Sequence, residues 1–281
     1  MPTWGEARAA ALARLRTSPD PGTAALDADV LLAHVLGVEK ATLYAHPERV
    51  LSPSESASFE ALVARRGRGE PVAYLRGFKE FYGLRFRVDS RVLIPRPETE
   101  VLVDAARELI AGRAVTVVDV GTGSGAIAVA IAAHEPRVRV IATDASRDAL
   151  AVAEANALAC GVADRVELRA GDLLAPIVER VDLVCANLPY LREDTVNEWV
   201  GERASLAFEP RVAVVAGPDG LDVIRRCVAD LPRVLAPRAA AVFECDPPQV
   251  AQVAALLAAS GLRTRAIRDL TGADRVVVAE S

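Results

Sequence analysis

Aromatic residues make up only 4% of this 281-residue sequence, and histidine occurs three times. Proteins that stack nucleic-acid bases need aromatic platforms along a basic groove, and a formal net charge of -5, from 33 basic and 38 acidic residues, supplies no global positive field. No direct nucleic-acid partner is expected. Cysteine is scarce as well. Cys160, Cys185, Cys227 and Cys245 form no C-x-x-C pair and sit in apolar contexts, which favours reduced, packed thiols over disulfides or zinc ligands. The expected compartment is the cytoplasm, and no metal is expected. No uncharged run is long enough to span a bilayer, and Met1-Pro2-Thr3-Trp4-Gly5-Glu6 lacks a basic segment followed by an apolar one. Neither membrane insertion nor export is indicated, and internal repeats and low-complexity segments are missing.

What the chain does have is apolar content. Hydrophobic residues make up 52% of it and mean hydropathy is +0.23, enough for one large domain and a small one. Residues 1–75 read as three or four short helices forming a substrate-docking domain: Trp4, Ala7, Leu12 and Leu15 recur at roughly helical spacing. Ser52-Pro53-Ser54-Glu55 predicts a helix over 53–66, with Ser52 as cap, Pro53 at the first position and Glu55 reaching back. His34 and His46 are lone histidines with structural roles. Arg65, Arg66, Arg68, Arg76 and Lys79, punctuated by glycine and proline, read as a solvated linker rather than a docking patch. Residues 76–95 are expected to be a linker with a β-hairpin turned at Gly83, and 96–281 the catalytic domain. Pro95 and Pro97 stiffen an extended turn ahead of a helix near 98–111, suited to lining a pocket wall.

From Val115 strands alternate with helices, which calls for a parallel sheet covered on both faces. Strands are expected at 115–120, 138–143, 166–169, 181–185 and 239–244, with helices near 126–133, 146–159, 219–230 and 248–259. A capping segment is expected at 191–217, and residues 263–280 read as an antiparallel pair turned at Thr271-Gly272.

Gly121-Thr122-Gly123-Ser124-Gly125-Ala126 satisfies G-x-G-x-x-G/A, and Asp144 at the end of the next strand suits ribose hydroxyls. These features identify a nucleoside site and leave a dinucleotide and S-adenosylmethionine (SAM) both open. Three residues weigh toward SAM. Asp119 can balance the ammonium of an amino-acid-bearing ligand and would repel a pyrophosphate; Asp172 can accept from an adenine amine; Asn187 ends the strand toward which a donor methyl would point. In structural terms alone, Asp119 would orient the loop and Asp172 would cap a helix.

Asn187-Leu188-Pro189-Tyr190 follows the buried strand and reads as the catalytic and substrate-binding segment. An amide nitrogen is a poor nucleophile, so position and hydrogen bonding must supply the catalysis. The Asn187 side-chain oxygen and the Leu188 carbonyl can accept both N-H bonds, Pro189 holds the backbone, and Tyr190 can pack on the flat group.

Taken with these blocks, Pro71-Val72-Ala73-Tyr74-Leu75-Arg76-Gly77, Phe78-Lys79-Glu80-Phe81-Tyr82-Gly83-Leu84, Leu93-Ile94-Pro95-Arg96-Pro97-Glu98-Thr99-Glu100 and Asp269-Leu270-Thr271-Gly272-Ala273-Asp274-Arg275 make the chain resemble the bacterial peptide chain release factor N5-glutamine methyltransferases nearly end to end. The resemblance implies an α/β fold, a Rossmann-like SAM-dependent methyltransferase with a seven-stranded, mostly parallel sheet and an antiparallel C-terminal strand, plus a small N-terminal helical domain. It implies methylation of the glutamine in the Gly-Gly-Gln loop of class I release factors, with S-adenosylhomocysteine as product. The resemblance implies that Gly121, Gly123, Gly125, Asp144, Asp172 or its neighbour Leu173, and Asn187 hold SAM; Asp119, Thr122 and Ser124 complete the expected cofactor-binding set. Two departures stand out: Leu188 replaces the family's usual first proline, and Cys245-Asp246-Pro247-Pro248-Gln249 replaces an apolar residue, Gly and Gln. A ribosomal-protein glutamine methyltransferase and a nucleic-acid adenine N6-methyltransferase are the alternative readings.

Overall fold

The structure, a computed structural model, describes residues 1–194, 196 and 204–281. It divides into two compact units: residues 1–78 with the described part of 195–209, and residues 79–194 with 210–281. Part of the capping segment expected at 191–217 lies outside the described residues.

Residues 1–78 of the first unit contain five α-helices, α1 (Trp4–Leu15), α2 (Ala24–Leu36), α3 (Lys40–Ala45), α4 (Pro53–Arg66) and α5 (Val72–Arg76), where three or four were expected. The short α3 and α5 have no side-chain cap, so no start signal marks them in the sequence. By contrast α4 begins where Ser52 predicts it: the Ser52 hydroxyl accepts from the Glu55 amide at 3.3 Å and Glu55 accepts from the Ser52 amide at 2.7 Å. Trp4, Leu15, Leu31, Leu32, Phe59 and Val63 close a common core. The basic segment is not simply a solvated linker. Arg66 is 3% exposed and donates to Asp27 at 2.7 Å and Asp20 at 2.6 Å, because the buried Asp27 carboxylate needs a counter-charge; Arg65 pairs with Glu70, and the Arg76 guanidinium lies over the Phe78 ring.

The hairpin β1 (Phe78–Phe81) and β2 (Leu84–Arg87) follows, the second unit beginning within β1 at Lys79. A tight turn at Pro97–Thr99 leads into α6 (Glu100–Ile110). Then follow β3 (Thr116–Val120), α7 (Ala126–His134), β4 (Arg139–Asp144), α8 (Arg147–Ala159), β5 (Val166–Ala170) and β6 (Val181–Ala186). The chain ends with α9 (Asp222–Val234), β7 (Leu235–Glu244), α10 (Val250–Ala259), β8 (Arg263–Arg268) and β9 (Asp274–Glu280). The seven strands lie in the order β5-β4-β3-β6-β7-β9-β8. Pairs from β5 through β7 are parallel, and β9 runs antiparallel to both of its neighbours. Val118, Ile141, Val184 and Phe243 are fully buried, as in-sheet residues must be when helices cover both faces. Helices α6, α7 and α8 pack on one face, α9 and α10 on the other. Strand β7 starts four residues earlier than expected because Leu235 already pairs with Val181, across an irregularity in register that periodicity does not reveal.

No helix among the described residues is long and apolar enough to cross a membrane. Among the same residues no group of His, Cys, Asp or Glu is arranged to hold a metal ion.

Candidate active site

Parallel register decides which loops meet. Val120 of β3 pairs with Thr143 of β4 and with Ala186 of β6, and Ala186 pairs with Phe243 of β7. The residues that follow, Gly121, Asp144, Asn187 and Glu244, therefore emerge side by side at the carboxyl edge of the sheet, where open α/β folds bind ligands.

On the donor side the glycine loop turns in left-handed backbone, with φ +69° at Gly121, +54° at Gly123 and +79° at Gly125. A Cβ at Gly125 would lie 3.0 Å from that of Ala153 in α8, so this glycine also permits the close seating of α7. Asp144 accepts from the Gly123 amide at 2.9 Å and from the Ser146 amide at 2.8 Å, fixing its carboxylate beside the loop. Asp119 performs the loop-orienting role: its Oδ2 accepts from the Thr122 hydroxyl at 2.6 Å and from the Ala128 amide at 3.1 Å. Its Oδ1 is buried without a hydrogen-bond partner, and burial pushes the carboxyl up to about 7. A cationic group close to this loop would meet that uncompensated acceptor, so the residues present fit a ligand bearing an ammonium and would disfavour a pyrophosphate. Ser124 is buried, and its carbonyl accepts from Asn156 Nδ2 at 2.8 Å. Asp172 is exposed and ion-paired with Arg226 of α9. Leu173 holds a strained φ of +48°, and its carbonyl accepts from the Thr143 hydroxyl at 2.9 Å.

On the acceptor side Asn187 Nδ2 donates to the Thr99 hydroxyl at 3.0 Å. Leu188 is 2% exposed and packs into the core under α9, and a Cβ on Gly121 would lie 3.1 Å from its Cδ2. The leucine that replaces the expected proline thus fills space left by the missing side chain of Gly121. Tyr190 places its hydroxyl 3.5 Å from Glu244 Oε1, at the outer limit of a hydrogen bond, and burial raises the phenol above its usual range. Its carbonyl accepts from Gln249 Nε2 at 2.9 Å, and the same amide donates to the Asp219 carbonyl at 3.0 Å. The segment Asp246-Pro247-Pro248-Gln249, whose role the sequence left open, therefore anchors the backbone of Tyr190.

Four contributors escaped the sequence reading: Thr99, Glu244, Gln249 and Asn156. Thr99 belongs to the proline-stiffened turn, which gave it a place near a pocket wall but no role. Glu244 is 1% exposed, its Oε2 is buried without a hydrogen-bond partner, and burial drives its carboxyl up to about 7. Asn156 bonds both backbone groups of Arg87 in β2 as well as Ser124, joining the hairpin to the glycine loop. From Pro97–Glu100, Glu100 also accepts from the Tyr82 amide at 2.7 Å.

Comparison with known proteins bears on this arrangement. Residues 6–77 match the family described as the PrmC N-terminal domain, and residues 97–205 match the methyltransferase small domain. The chain is 42% identical over 262 residues to the release factor glutamine methyltransferase of Cereibacter sphaeroides, covering 91% of each chain. It is 42% identical over 261 residues to that of Bordetella pertussis, covering 92% of this chain and 95% of the relative. The Koribacter versatilis relative is 38% identical over 98% of both. Among solved structures, the hMettl16 catalytic domain in complex with MAT2A 3'UTR hairpin 6 aligns with TM-score 0.58 at 17% identity, covering 82% of each chain. A ribosomal protein L11 methylase from Lactobacillus delbrueckii subsp. bulgaricus aligns with TM-score 0.50 at 23% identity, over 69% of this chain and 83% of that one. At those identities the structures speak to the fold, whereas the relatives speak to the family: this chain belongs to the release factor glutamine methyltransferases.

Proposed function

We propose that the protein transfers a methyl group from S-adenosylmethionine to the side-chain amide nitrogen of a release-factor glutamine, with residues 1–75 docking the factor in the cytoplasm. The observation that carries this reading is the pairing of Val120 with Ala186, which sets the glycine loop and Asn187 next to each other at one sheet edge. Bound SAM supplies a methyl group on a positively charged sulfur. The Gly121 to Gly125 loop and Asp144 hold the nucleoside end, and the partnerless Oδ1 of Asp119 favours the ammonium end. Asn187 Oδ1 and the Leu188 carbonyl accept the two N-H bonds of the substrate amide. Accepting both bonds turns the nitrogen lone pair toward the donor and stabilises positive charge as it grows on nitrogen, a charge discharged when one of the two N-H protons is lost to solvent. Tyr190, its backbone anchored by Gln249, packs on the flat amide.

Incubation of the chain with methyl-labelled SAM and, separately, a release factor, ribosomal protein and rRNA tests the reading. Label on a glutamine of the release factor is the expected result. Label confined to ribosomal protein or to adenine would replace it with one of the rival readings.

A further inference from the structure

We propose that Thr143 is a positioning residue for the cofactor, its hydroxyl holding Leu173 in left-handed backbone; the proposal rests on the reading of Asp172 and Leu173 as SAM-binding residues. Leu173 stands at φ +48°. Glycine, and less often asparagine or aspartate, enters that region; in other residues Cβ crowds the following carbonyl oxygen. A leucine stays there only where its surroundings hold it. Thr143, fully buried in β4, supplies the hold: its hydroxyl donates to the Leu173 carbonyl at 2.9 Å. The residues on either side of Leu173 are fixed by other means. The Asp172 carbonyl accepts from the Ala175 amide at 2.9 Å, and the Leu174 carbonyl from Arg233 Nη2 at 2.8 Å.

Thr143 also reaches the opposite side of the site. Its own carbonyl accepts from the Thr122 amide of the glycine loop at 2.9 Å, and the carbonyl of the next residue, Asp144, accepts from the Gly171 amide at 3.0 Å. Since β4 lies between β3 and β5, its last two residues join the turn that follows β3 to the turn that follows β5. Packing alone does not call for a hydroxyl at the end of β4. Valine has nearly the shape of threonine, suits strands as well and brings no polar atom to desolvate. What valine lacks is the donor. An unheld leucine takes the left-handed form roughly one time in ten. If only that form binds SAM, affinity falls by the same factor.

The test measures the Kd for SAM by calorimetry, and kcat and KM with a release factor, on full-length protein. Thr143→Val should weaken SAM about 10-fold, with kcat at saturating SAM and the KM for the release factor within about 2-fold of the parent. Thr143→Ser, which keeps the donor, should stay within about 3-fold in Kd. Leu173→Gly removes the strain that the hydroxyl opposes, so adding Thr143→Val to Leu173→Gly should change the Kd by less than about 2-fold. Parental Kd in Thr143→Val, a Thr143→Ser as weak as Thr143→Val, or an equal loss in both backgrounds would overturn the proposal. If Thr143→Val alone does not fold, the double variant decides: SAM should bind within about 2-fold of Leu173→Gly, and a loss of about 10-fold refutes the hold. A readout without ligand separates this from the functional reading. The Leu173 Cα and Cβ chemical shifts of the SAM-free chain, which report φ, should leave their left-handed values in Thr143→Val, and unchanged shifts refute the hold. Shifts that move while the Kd stays parental also overturn the proposal. A parent chain that binds no SAM condemns the functional reading alone.

Discussion

At the scale of single residues, the proposed function divides labour between side chains that would touch the reacting groups and a glycine that makes room beside them. On that proposal Asn187 belongs to the first kind. Replacing it with alanine removes one oriented acceptor, worth on the order of 3 kcal/mol at the transition state, so methyl transfer should slow about 100-fold while the Kd for SAM changes only several-fold. Turnover equal to the parent in a single-turnover assay would remove Asn187 from the chemistry. Gly121 belongs to the second. Its φ of +69° already disfavours a side chain, and a new methyl would stand 3.1 Å from Leu188 Cδ2. Gly121→Ala should therefore destabilise the chain by about 1–3 kcal/mol and weaken SAM binding, both read from a thermal melt with and without ligand. Pairing it with Leu188→Ala should restore only the part due to the contact, because the backbone strain stays.

At the scale of elements, loops far apart in sequence hold one another. Gly220, at φ +76°, passes so close to Tyr190 that a Cβ would lie 2.1 Å from the Tyr190 oxygen and 2.5 Å from Gln249 Nε2. Gly220→Ala should displace the Tyr190 backbone, raising the KM for the acceptor about 10-fold or more with SAM affinity retained. An unchanged acceptor KM would mean that Tyr190 is not held by this clamp. The same distances explain what the sequence made legible. Strand ends and the glycine loop show themselves locally, through apolar runs and turn residues, so Gly121, Asp144 and Asn187 could be named in advance. Thr99 and Asn187 are 88 positions apart, Gln249 and Tyr190 59, and Arg87 and Asn156 69; nothing local in either member of a pair announces the other. Asp172 shows the converse: its position at a strand end was legible, but its ion pair with Arg226, 54 positions on, was not. The capping box of α4 was readable because both of its bonds close within three residues.

At the scale of the whole molecule, the fold places two carboxyl groups where ionisation is costly. Asp119, next to last in β3, and Glu244, last in β7, stand near one sheet edge with β6 between their strands, and burial lifts each from its ordinary value of 3.8 or 4.5 to about 7. In the unfolded chain both release their protons near the ordinary values, so between roughly pH 4 and pH 7 the folded state binds more protons than the unfolded one. Stability from these groups is therefore fully present below the unfolded pKa values, declines as pH rises through that window and is lost above about 7. Acidic groups held low by arginine act in the opposite sense. Glu179 beside Arg169 and Asp219 beside Arg225 sit near 2, and their contribution is lost only as pH falls toward that value; both are solvent-screened, so it is small. Between about pH 5 and 7.5, then, the buried pair should dominate, and the thermal midpoint of the ligand-free chain should fall as pH rises. Asp119→Asn should flatten that slope, because an amide keeps an acceptor for Thr122 and the Ala128 amide without ionising. Adding SAM should flatten it too, since a cation near Asp119 favours the ionised form and binding then tightens as pH rises. A midpoint that climbs across this range in both parent and Asp119→Asn would show that the carboxyl at the end of β3 ionises freely in the folded chain.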